Sequence, residues 1–260
     1  MPLLEVDKVT LTFRGLAALV SVSFNIEQGQ IVSLIGPNGA GKTSMLNCIS
    51  GRYHPDRGAI NLNGQNILNL PAHKRTGLGL ARTFQNIALF KGLSVLENLM
   101  VGRHLHLGYG LLPSLFYFGR ARRLETKHRH RVEEIIDFLN LSPYRHQIAG
   151  RLPYGVQKRV ELGRALAAEP KLLLLDEPMA GMNLEETEDM ARYILDINEE
   201  WGVTILLVEH DMGVVMDISH RVVVLDFGQV LSLGTPDEVQ QDPKVIAAYL
   251  GDQESLYLGR

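Results

Sequence analysis

Apolar and polar positions in the first third of the chain follow a pattern that is typical of β-strands. Leu3–Phe13 and Ser21–Ile26 alternate or run apolar, and Ile31–Ile35 is a short, continuous apolar run. Gly58–Asn63 is a further predicted strand, and the dipeptide Asn63-Gly64 closes it as a turn. This part of the chain is therefore expected to be rich in strands.

After the predicted strands, apolar residues recur at the spacing of a helix in two parts of the chain. One helix is expected from Gly41 to about Ser50, directly after the third strand. The middle of the chain, from about Leu93 to Leu141, is helical in pattern, with apolar residues recurring every three or four positions in Arg131–Leu141.

The last third alternates between strands and helices. The predicted elements there are the strands Leu172–Leu175, Thr204–Val208, Val222–Asp226 and Gln229–Leu233, the helices Glu185–Glu200 and Gly213–Ser219, and a helical tail opened by Pro236. Strands that alternate with helices predict an α/β protein with a mostly parallel sheet covered on both faces. The helical middle is predicted to be inserted between the two halves of that sheet.

The composition is that of a packed globular protein. Of the 260 residues, 45% are hydrophobic and 21% are charged, so nothing argues for disorder. The formal net charge of -3 gives no support to a nucleic-acid partner. Cys48 is the one cysteine, so no internal disulfide is expected, and we interpret it as a small buried residue and not as a reactive thiol.

No run reaches the roughly 18 apolar residues that a membrane-spanning helix needs. The nearest candidate, His104–Gly119, is interrupted by Gly108, Gly110 and Pro113. Met1–Thr10 carries charges among Leu and Val, which indicates a strand and not a signal peptide. We therefore expect the chain to be held at a membrane only through a partner.

A phosphate-binding loop follows the third predicted strand. Gly36-Pro-Asn-Gly-Ala-Gly-Lys-Thr43 matches the pattern G-x-x-x-x-G-K-[ST], between a strand and a helix. Its glycines let backbone N–H groups converge, and the helix N-terminus adds positive potential. Lys42 can reach the β- and γ-phosphates of a nucleoside triphosphate, and Thr43 can bind Mg²⁺. The predicted nucleotide-binding residues here are Gly36, Pro37, Asn38, Gly39, Ala40, Gly41, Lys42, Thr43 and Ser44.

Two adjacent acids, Asp176 and Glu177, follow the apolar run Leu172–Leu175. A buried parallel strand delivers its terminal acid to the edge of the sheet where the phosphate loop lies. Asp176 is therefore predicted to hold Mg²⁺ through water. Glu177 is predicted to accept a proton from an attacking water molecule.

Three more residues stand where an ATPase would need them. Gln85 lies 43 residues after Lys42, and its amide could touch Mg²⁺ or the attacking water. His210 ends the next apolar strand, where a neutral imidazole can contact the γ-phosphate. Phe13 can stack on adenine. Each is weak by itself, because a surface glutamine, a structural histidine or a core aromatic residue is the commoner alternative.

A further motif makes the pattern specific. Leu152-Pro-Tyr-Gly155-Val-Gln157 lies 21 residues before Asp176, counted from Gly155, and begins a predicted helix. With the phosphate loop and the paired acids in this order, essentially the whole chain resembles the ATP-binding cassette (ABC) ATPases. Their signature motif, usually Leu-Ser-Gly-Gly-Gln, has this place and shape.

The resemblance implies a P-loop NTPase with a mixed β core, an inserted α-helical subdomain and an antiparallel β-subdomain. The core would comprise about residues 1–92 and 160–235, the helical subdomain about 93–159, and the C-terminal tail about 236–260. The implied activity is ATP hydrolysis with ATP and Mg²⁺ as cofactors. The implied roles are adenine stacking for Phe13, catalysis for Glu177, His210 and Gln85, and metal binding for Thr43, Gln85 and Asp176.

The resemblance also implies a dimer in which each phosphate loop faces the signature of the other cassette. The signature residues expected to contact the partner's nucleotide are Leu152, Pro153, Tyr154, Gly155 and Gln157. Pro153 stands where the family's serine offers a hydroxyl to the γ-phosphate, and Tyr154 and Val156 also depart from the pattern. A lost hydrogen bond to a charged group costs roughly 1.5–3 kcal/mol. We expect a weakened but competent site, because the helix N-terminus is still aimed at the phosphate.

Several segments look like the importer cassettes for branched-chain and other hydrophobic amino acids. They are Leu152–Gly155, Asp176–Asn183, Val208–Met212, Leu225–Val230, Gly234–Val239, Asp242-Pro243 and Val245–Gly251. The implied partners are a second cassette in a homodimer or, more often, a heterodimer, two membrane permeases and, indirectly, a solute-binding protein. The implied place is the cytoplasmic face of the inner membrane, as a peripheral subunit. Importers of urea and short-chain amides share much of this pattern, so the substrate stays open.

Two other functions remain as alternatives. One is a non-transport ABC ATPase that acts on DNA or ribosomes, which a single phosphate loop without heptad repeats does not favour. The other is a nucleotide-sensing cassette, suggested by the altered signature and opposed by Glu177 and His210. For 104–131, which ends with six Lys/Arg against one acid in Arg120–Arg131, a solvated helix face and a membrane-subunit contact both remain open.

Overall fold

The computed structural model of the chain describes residues 2–104 and 120–249, and for residues 120–125 it describes the backbone alone. The strands are β1 (Leu4–Phe13), β2 (Leu16–Ile26), β3 (Ile31–Ile35), β4 (Arg57–Leu62), β5 (Gln65–Asn66), β6 (Leu80–Arg82), β7 (Leu172–Asp176), β8 (Thr204–Val208), β9 (Arg221–Asp226) and β10 (Gln229–Gly234). The helices are α1 (Lys42–Ser50), α2 (Ala72–Gly77), α3 (Val95–Gly102), α4 (Arg120–Phe138), α5 (Tyr154–Leu166), α6 (Leu184–Glu199), α7 (Met212–Ile218) and α8 (Pro236–Gln240), and residues 243–249 are also helical.

Two sheets organise these elements. The larger has the order β10-β9-β3-β8-β7-β6, in which β10 is an antiparallel edge strand and the other neighbours are parallel. The smaller is antiparallel, in the order β2-β1-β4-β5. The predicted α/β class with a mixed core and an antiparallel β part is therefore confirmed.

The central strands β3, β7 and β8 are buried along their whole length because both faces of the large sheet are covered. In β7, Leu173 and Leu175 pack into one hydrophobic cluster, whereas Leu172 and Leu174 pack into the other. Successive side chains of a strand point to opposite faces, so this alternation is the expected mark of a sheet with two cores. The carboxyl ends of β3, β6, β7 and β8 share one edge, where the site lies.

Two predicted features need comment. The predicted division near 159 and 160 falls inside α5, which continues unbroken from Tyr154 to Leu166, so the division into subdomains stays a prediction. The candidate segment His104–Gly119 lies, apart from His104, outside the described residues, and so do the side chains of 120–125.

The structure adds α2 and the short strand β6, which periodicity did not predict. Arg75 of α2 is only 2% exposed, and its guanidinium donates to the carbonyls of Cys48 and Ile49, at 2.7 and 2.8 Å. It also donates to the carbonyls of Leu68 and Leu70. The first two belong to the last turn of α1, whose carbonyls have no partner within the helix. Arg75 thus closes the helix that begins at the phosphate loop.

We expect Arg75→Lys to lower the free energy of unfolding by about 2–3 kcal/mol, since one ammonium cannot serve four carbonyls and hydrogen bonds to charged groups are worth roughly 1.5–3 kcal/mol each. Chemical denaturation measures the change. Lys74→Met, at the exposed neighbouring position, is the control. An equal loss in both variants would contradict this role for Arg75.

Cys48 lies beside this guanidinium, in the core. Burial raises the pKa of its thiol to about 12, an effect that the charge of Arg75 only partly offsets. The thiol is therefore protonated at neutral pH and unreactive in the folded chain, as the sequence predicted.

Candidate functional site

The loop from Gly36 to Thr43 joins β3 to α1 and is packed against neighbouring backbone. A Cβ atom at Gly36, where φ is 146°, would lie 2.0 Å from the carbonyl oxygen of Leu225. At Gly41, where φ is 103°, it would lie 2.6 Å from the carbonyl oxygen of Ala18. These two positions therefore require glycine both for their conformation and for the close approach of another strand.

Lys42 is buried and lies across the loop. Its Nζ donates to the carbonyls of Gly36 and Pro37, at 2.6 and 2.9 Å. Gly41 precedes α1 as its N-cap, with no side-chain capping bond. The first backbone N–H groups of the helix thus meet no capping side chain, which is the arrangement that binds phosphate.

A cavity of about 530 Å³ opens beside this loop. Its lining includes Thr43, Gln85 and Asp176, the three residues predicted to bind a metal. They come from α1, from the segment after β6 and from the end of β7, so the shared edge of the sheet brings them together. The other lining residues are Asn47, Arg52, Tyr53, Arg82, Phe84, Asn86 and Ala88.

Asp176 is held by an arginine that the sequence reasoning missed. Arg82 at the end of β6 donates to Asp176 Oδ2 at 2.8 Å, with side chains only 6% and 3% exposed. The same guanidinium donates to Asn47 Oδ1 and Ser50 Oγ of α1. Oδ1 of Asp176 is buried and has no hydrogen-bond partner among the described residues. A divalent cation or its water would satisfy this oxygen, so the residues fit Mg²⁺.

In the part of the chain that the structure describes, no three His, Cys, Asp or Glu residues cluster as a metal site. Mg²⁺ commonly binds through one or two protein oxygens together with waters and substrate phosphates. A hydroxyl, an amide and one carboxylate are therefore a sufficient set of protein ligands.

We expect Arg82→Met to destabilise the chain by about 3–5 kcal/mol, because it leaves the buried carboxylate of Asp176 without a counter-charge. Denaturation in the absence of nucleotide and divalent cations measures this. The double variant Arg82→Met/Asp176→Asn removes the uncompensated charge and should regain part of the loss. Additive losses would show that the ion pair does not stabilise the fold.

The three predicted catalytic residues meet at Glu177. Gln85 Nε2 donates to Glu177 Oε2 at 2.8 Å, and His210 Nε2 lies 2.6 Å from Glu177 Oε1. The backbone of Glu177 has φ of 49°, a left-handed conformation that is uncommon for such a residue and is maintained here by a bond from its N–H to the carbonyl of Val208. Gln85 and His210 thus fix both oxygens of one carboxylate at the edge of the sheet.

Glu209 precedes His210 and is buried. Its carboxylate accepts from the N–H groups of Met179 and His210, at 2.9 and 3.1 Å. Burial raises the pKa of Glu209, and these two N–H groups only partly offset that effect. Glu209 therefore ties the segment after Glu177 to the start of the His210 loop, a role that the sequence reasoning did not find.

Phe13 lies half-exposed at the end of β1. Its ring packs edge-to-face on Tyr53, with centroids 5.1 Å apart. Tyr53 also lines the cavity beside the phosphate loop, and it was not among the predicted residues. The stacking role of Phe13 stays a prediction.

The signature residues do not line that cavity of their own chain. Pro153 is the N-cap of α5 and makes no side-chain capping bond, and Tyr154 is 44% exposed. Leu152 is buried, with its carbonyl accepting from Gln157 Nε2 at 2.8 Å. Gly155 is packed so closely on Glu186 that an added Cβ would lie 2.3 Å from Oε1. Helix α5 thus begins without a side-chain cap and with Pro153 and Tyr154 exposed, apart from the site built by the phosphate loop.

Comparison with known proteins identifies a family and several relatives. Residues 19–180 match the family described as "ABC transporter", and residues 229–255 match "Branched-chain amino acid ATP-binding cassette transporter". The chain is similar to the high-affinity branched-chain amino acid transport ATP-binding protein BraF of Pseudomonas aeruginosa. The two are 44% identical over 251 residues, which cover 96% of this chain and 98% of BraF.

Solved structures share the fold. The ADP conformation of MJ1267, an ATP-binding cassette of an ABC transporter, aligns with a TM-score of 0.84 and 32% identity, over 96% of this chain and 99% of that one. The dimeric post-hydrolysis state of the cassette MJ0796, bound to ADP and Pi, aligns with a TM-score of 0.73 and 27% identity, over 90% and 98%. Within residues 2–104 and 120–249, no helix has the length and apolar character needed to cross a membrane.

Proposed function

Because this chain belongs to the ABC transporter family, we propose that it energises an importer of branched-chain or related hydrophobic amino acids. The chain is an ABC-type ATPase, and its relatives do not favour the alternatives of a non-transport or a sensing cassette. The proposed substrate class rests on similarity to a branched-chain amino acid transport protein over nearly the whole chain, including the C-terminal match at 229–255.

The observation that carries the proposed mechanism is the convergence of Gln85 and His210 on Glu177. In this mechanism Glu177 is the general base, which takes a proton from the attacking water. Gln85 and His210 orient its carboxylate and come within reach of that water. A base must lie within hydrogen-bond reach of the proton that it removes, which a freely rotating side chain would not ensure.

The remaining site residues bind and position the nucleotide. Lys42 and the N-terminus of α1 would hold the β- and γ-phosphates, which requires Lys42 Nζ to exchange its carbonyl acceptors for phosphate oxygens. Thr43, Asp176 and Gln85 would hold Mg²⁺, which supplies positive charge to the phosphates when bound. Phe13 and Tyr53 offer aromatic faces for the adenine.

A second cassette would complete each site. Helix α5 begins without a side-chain cap, Pro153 and Tyr154 are exposed there, and a helix N-terminus attracts phosphate. In a dimer, Pro153 to Gly155 would face the nucleotide bound by the partner cassette. Because Pro153 replaces the family's serine and has no hydroxyl, this contact would depend on backbone N–H groups and the helix dipole. We expect this composite site to bind ATP less tightly than one with the serine, and still to bind it.

Membrane permeases are the other proposed partners, and the chain would lie on the cytoplasmic face as a peripheral subunit. A groove of about 500 Å³ next to the Gln85 segment is lined by Phe84, Phe90, Val101 and Arg164, among others. Phe84 and Phe90 are both exposed, and aromatic residues are enriched at protein interfaces. A cytoplasmic segment of a permease bound in this groove would sense the position of Gln85.

Deleting the gene in its source strain and measuring uptake of radiolabelled leucine, isoleucine and valine tests this function. Uptake should fall and should return with the wild-type gene but not with Glu177→Gln, although both proteins accumulate. If uptake of all three amino acids is unchanged and uptake of urea or short-chain amides is lost instead, the chain belongs to an importer of urea or short-chain amides. A purified complex of the chain with its partner cassette and permeases that shows no ATPase activity would reject the mechanism itself.

A further inference from the structure

Helix α5 carries three charged residues on one face, towards the site. Lys158, Glu161 and Arg164 recur every third residue, and Lys158 and Glu161 are only 3% and 2% exposed. Such residues are rarely buried unless they are paired and hydrogen-bonded. Their hydrogen bonds are made to the segment around Gln85 and to Glu177.

Glu161 and Arg164 hold the segment that carries Gln85. Glu161 Oε1 accepts from the N–H groups of Ala88 and Phe84, at 3.1 and 3.4 Å. Arg164 donates to the carbonyl of Ala88 at 2.5 Å. Thr83 makes the last ladder bond to β7, from its N–H to the carbonyl of Leu174, and residues 84–90 belong to no helix or strand. Side chains of α5 therefore anchor this segment on both sides of Gln85.

Lys158 connects that segment to the general base. Its ammonium donates to the carbonyl of Gln85 at 3.1 Å and to the carbonyl of Glu177 at 3.2 Å. The side chains of Gln85 and Glu177 are hydrogen-bonded to each other as well. One buried cation thus ties together the backbones of two residues whose side chains must meet.

The charges around Lys158 balance it. Burial lowers the pKa of Lys158, whereas Glu161, Glu209, Glu177 and Asp176 act in the opposite direction. Burial also raises the pKa of Glu161, offset by its N–H donors and by Lys158. The charges of Lys158 and Glu161 thus partly offset the effects of each other's burial, and a buried polar network of this kind depends strictly on its geometry.

We propose that Lys158 and Glu161 are positioning residues, which set Gln85 against Glu177 according to how α5 is seated. This inference rests on the proposed function, because it assigns these residues a role in hydrolysis. Lys158 stands one helical turn after Tyr154, at the end of α5 that would face the partner's nucleotide. Binding of that nucleotide would thus reach this chain's own general base through a single turn of helix.

The full-length chain, purified in complex with its partner cassette and permeases, tests this with Lys158→Met, Lys158→Arg, Glu161→Leu and the control Arg159→Gln. Arg159 lies on α5 between the two but donates to the carbonyl of Leu139 instead. Lys158→Met and Glu161→Leu should lower kcat about tenfold or more, since small misplacements of catalytic groups are that costly. The KM and the Kd for Mg²⁺-ATP should change less than twofold. Lys158→Arg, which keeps a cationic donor, should recover part of the loss.

Amide hydrogen exchange supplies a readout that does not depend on turnover. Both damaging variants should speed exchange in residues 83–90, and Lys158→Met alone should also speed it in 177–182. Equal kcat and equal exchange in all variants would overturn the proposal, as would losses in Arg159→Gln of the same size. If the wild-type complex hydrolyses no ATP, the proposed function fails, and the exchange pattern still decides whether α5 positions the two segments.

Discussion

Replacing Glu177 with glutamine is expected to lower the kcat for ATP hydrolysis by a factor of about 10²–10⁴ while leaving ATP binding intact. This range is the usual contribution of a general base. Glutamine has the same shape and keeps one acceptor oxygen for Gln85 or His210, which contact the two carboxylate oxygens at 2.8 and 2.6 Å. The side chain stays in place, and only its ability to accept a proton is lost.

Steady-state phosphate release measures this loss, and equilibrium binding of Mg²⁺-ATP measures what is retained. Size-exclusion chromatography with Mg²⁺-ATP should reveal a trapped closed dimer of the variant, because binding proceeds and opening by hydrolysis does not. The control is Glu188→Gln, at an exposed position of α6. Unchanged phosphate release in the Glu177 variant would reject Glu177 as the base.

The second large effect is expected from Gly36→Ala, which should abolish nucleotide binding and destabilise the chain. The added Cβ would lie 2.0 Å from the carbonyl oxygen of Leu225 in β9, a distance that no rotamer change can relieve because the backbone fixes the position of Cβ and the oxygen is a backbone atom. Either β9 or the phosphate loop must move. Because the loop is the less constrained of the two, its N–H groups would lose their common orientation.

Gly29→Ala is the matched control for this substitution. Gly29 also has a positive φ, 78°, but nothing lies within 4 Å of a Cβ added there. It should cost only about 1 kcal/mol, the conformational penalty alone, and leave ATP binding unchanged. Calorimetric titration with Mg²⁺-ATP and thermal unfolding separate the two variants. Normal binding by the Gly36 variant would mean that the loop tolerates a displaced backbone.

The parts of this site that could be predicted from the sequence are those with local signals. The run Ile31–Ile35, the glycine loop and Lys42 form one continuous strand–loop–helix pattern, and the structure has the strand at those residues. Asp176 and Glu177 follow from an apolar strand that ends in acids. Such patterns can be read in one sequence because the residues that cooperate are neighbours in the chain.

The missed residues act across long separations. Arg82 lies 94 positions from Asp176, and Lys158 lies 73 positions from Gln85. No local periodicity relates such pairs, and a lysine or glutamate on a helix is by default expected to be exposed. Strand β6 has three residues, too few for a period to be recognised. Its existence follows only from pairing with β7.

The alternating leucines of β7 have a consequence for folding fidelity. The pairing register of a strand is normally specified because its side chains differ between the two faces of the sheet. In β7 a register shift of one residue would only replace one leucine by another at each interior position. The information that aligns this strand must therefore come from its ends. At one end Lys171 and Leu172 donate to the carbonyl of Gly79, and at the other Asp176 pairs with Arg82 and stands opposite Val208. A register shift would bury the charge of Asp176 among leucine side chains. The acid predicted to bind Mg²⁺ at the nucleotide site therefore also specifies the register of the central sheet.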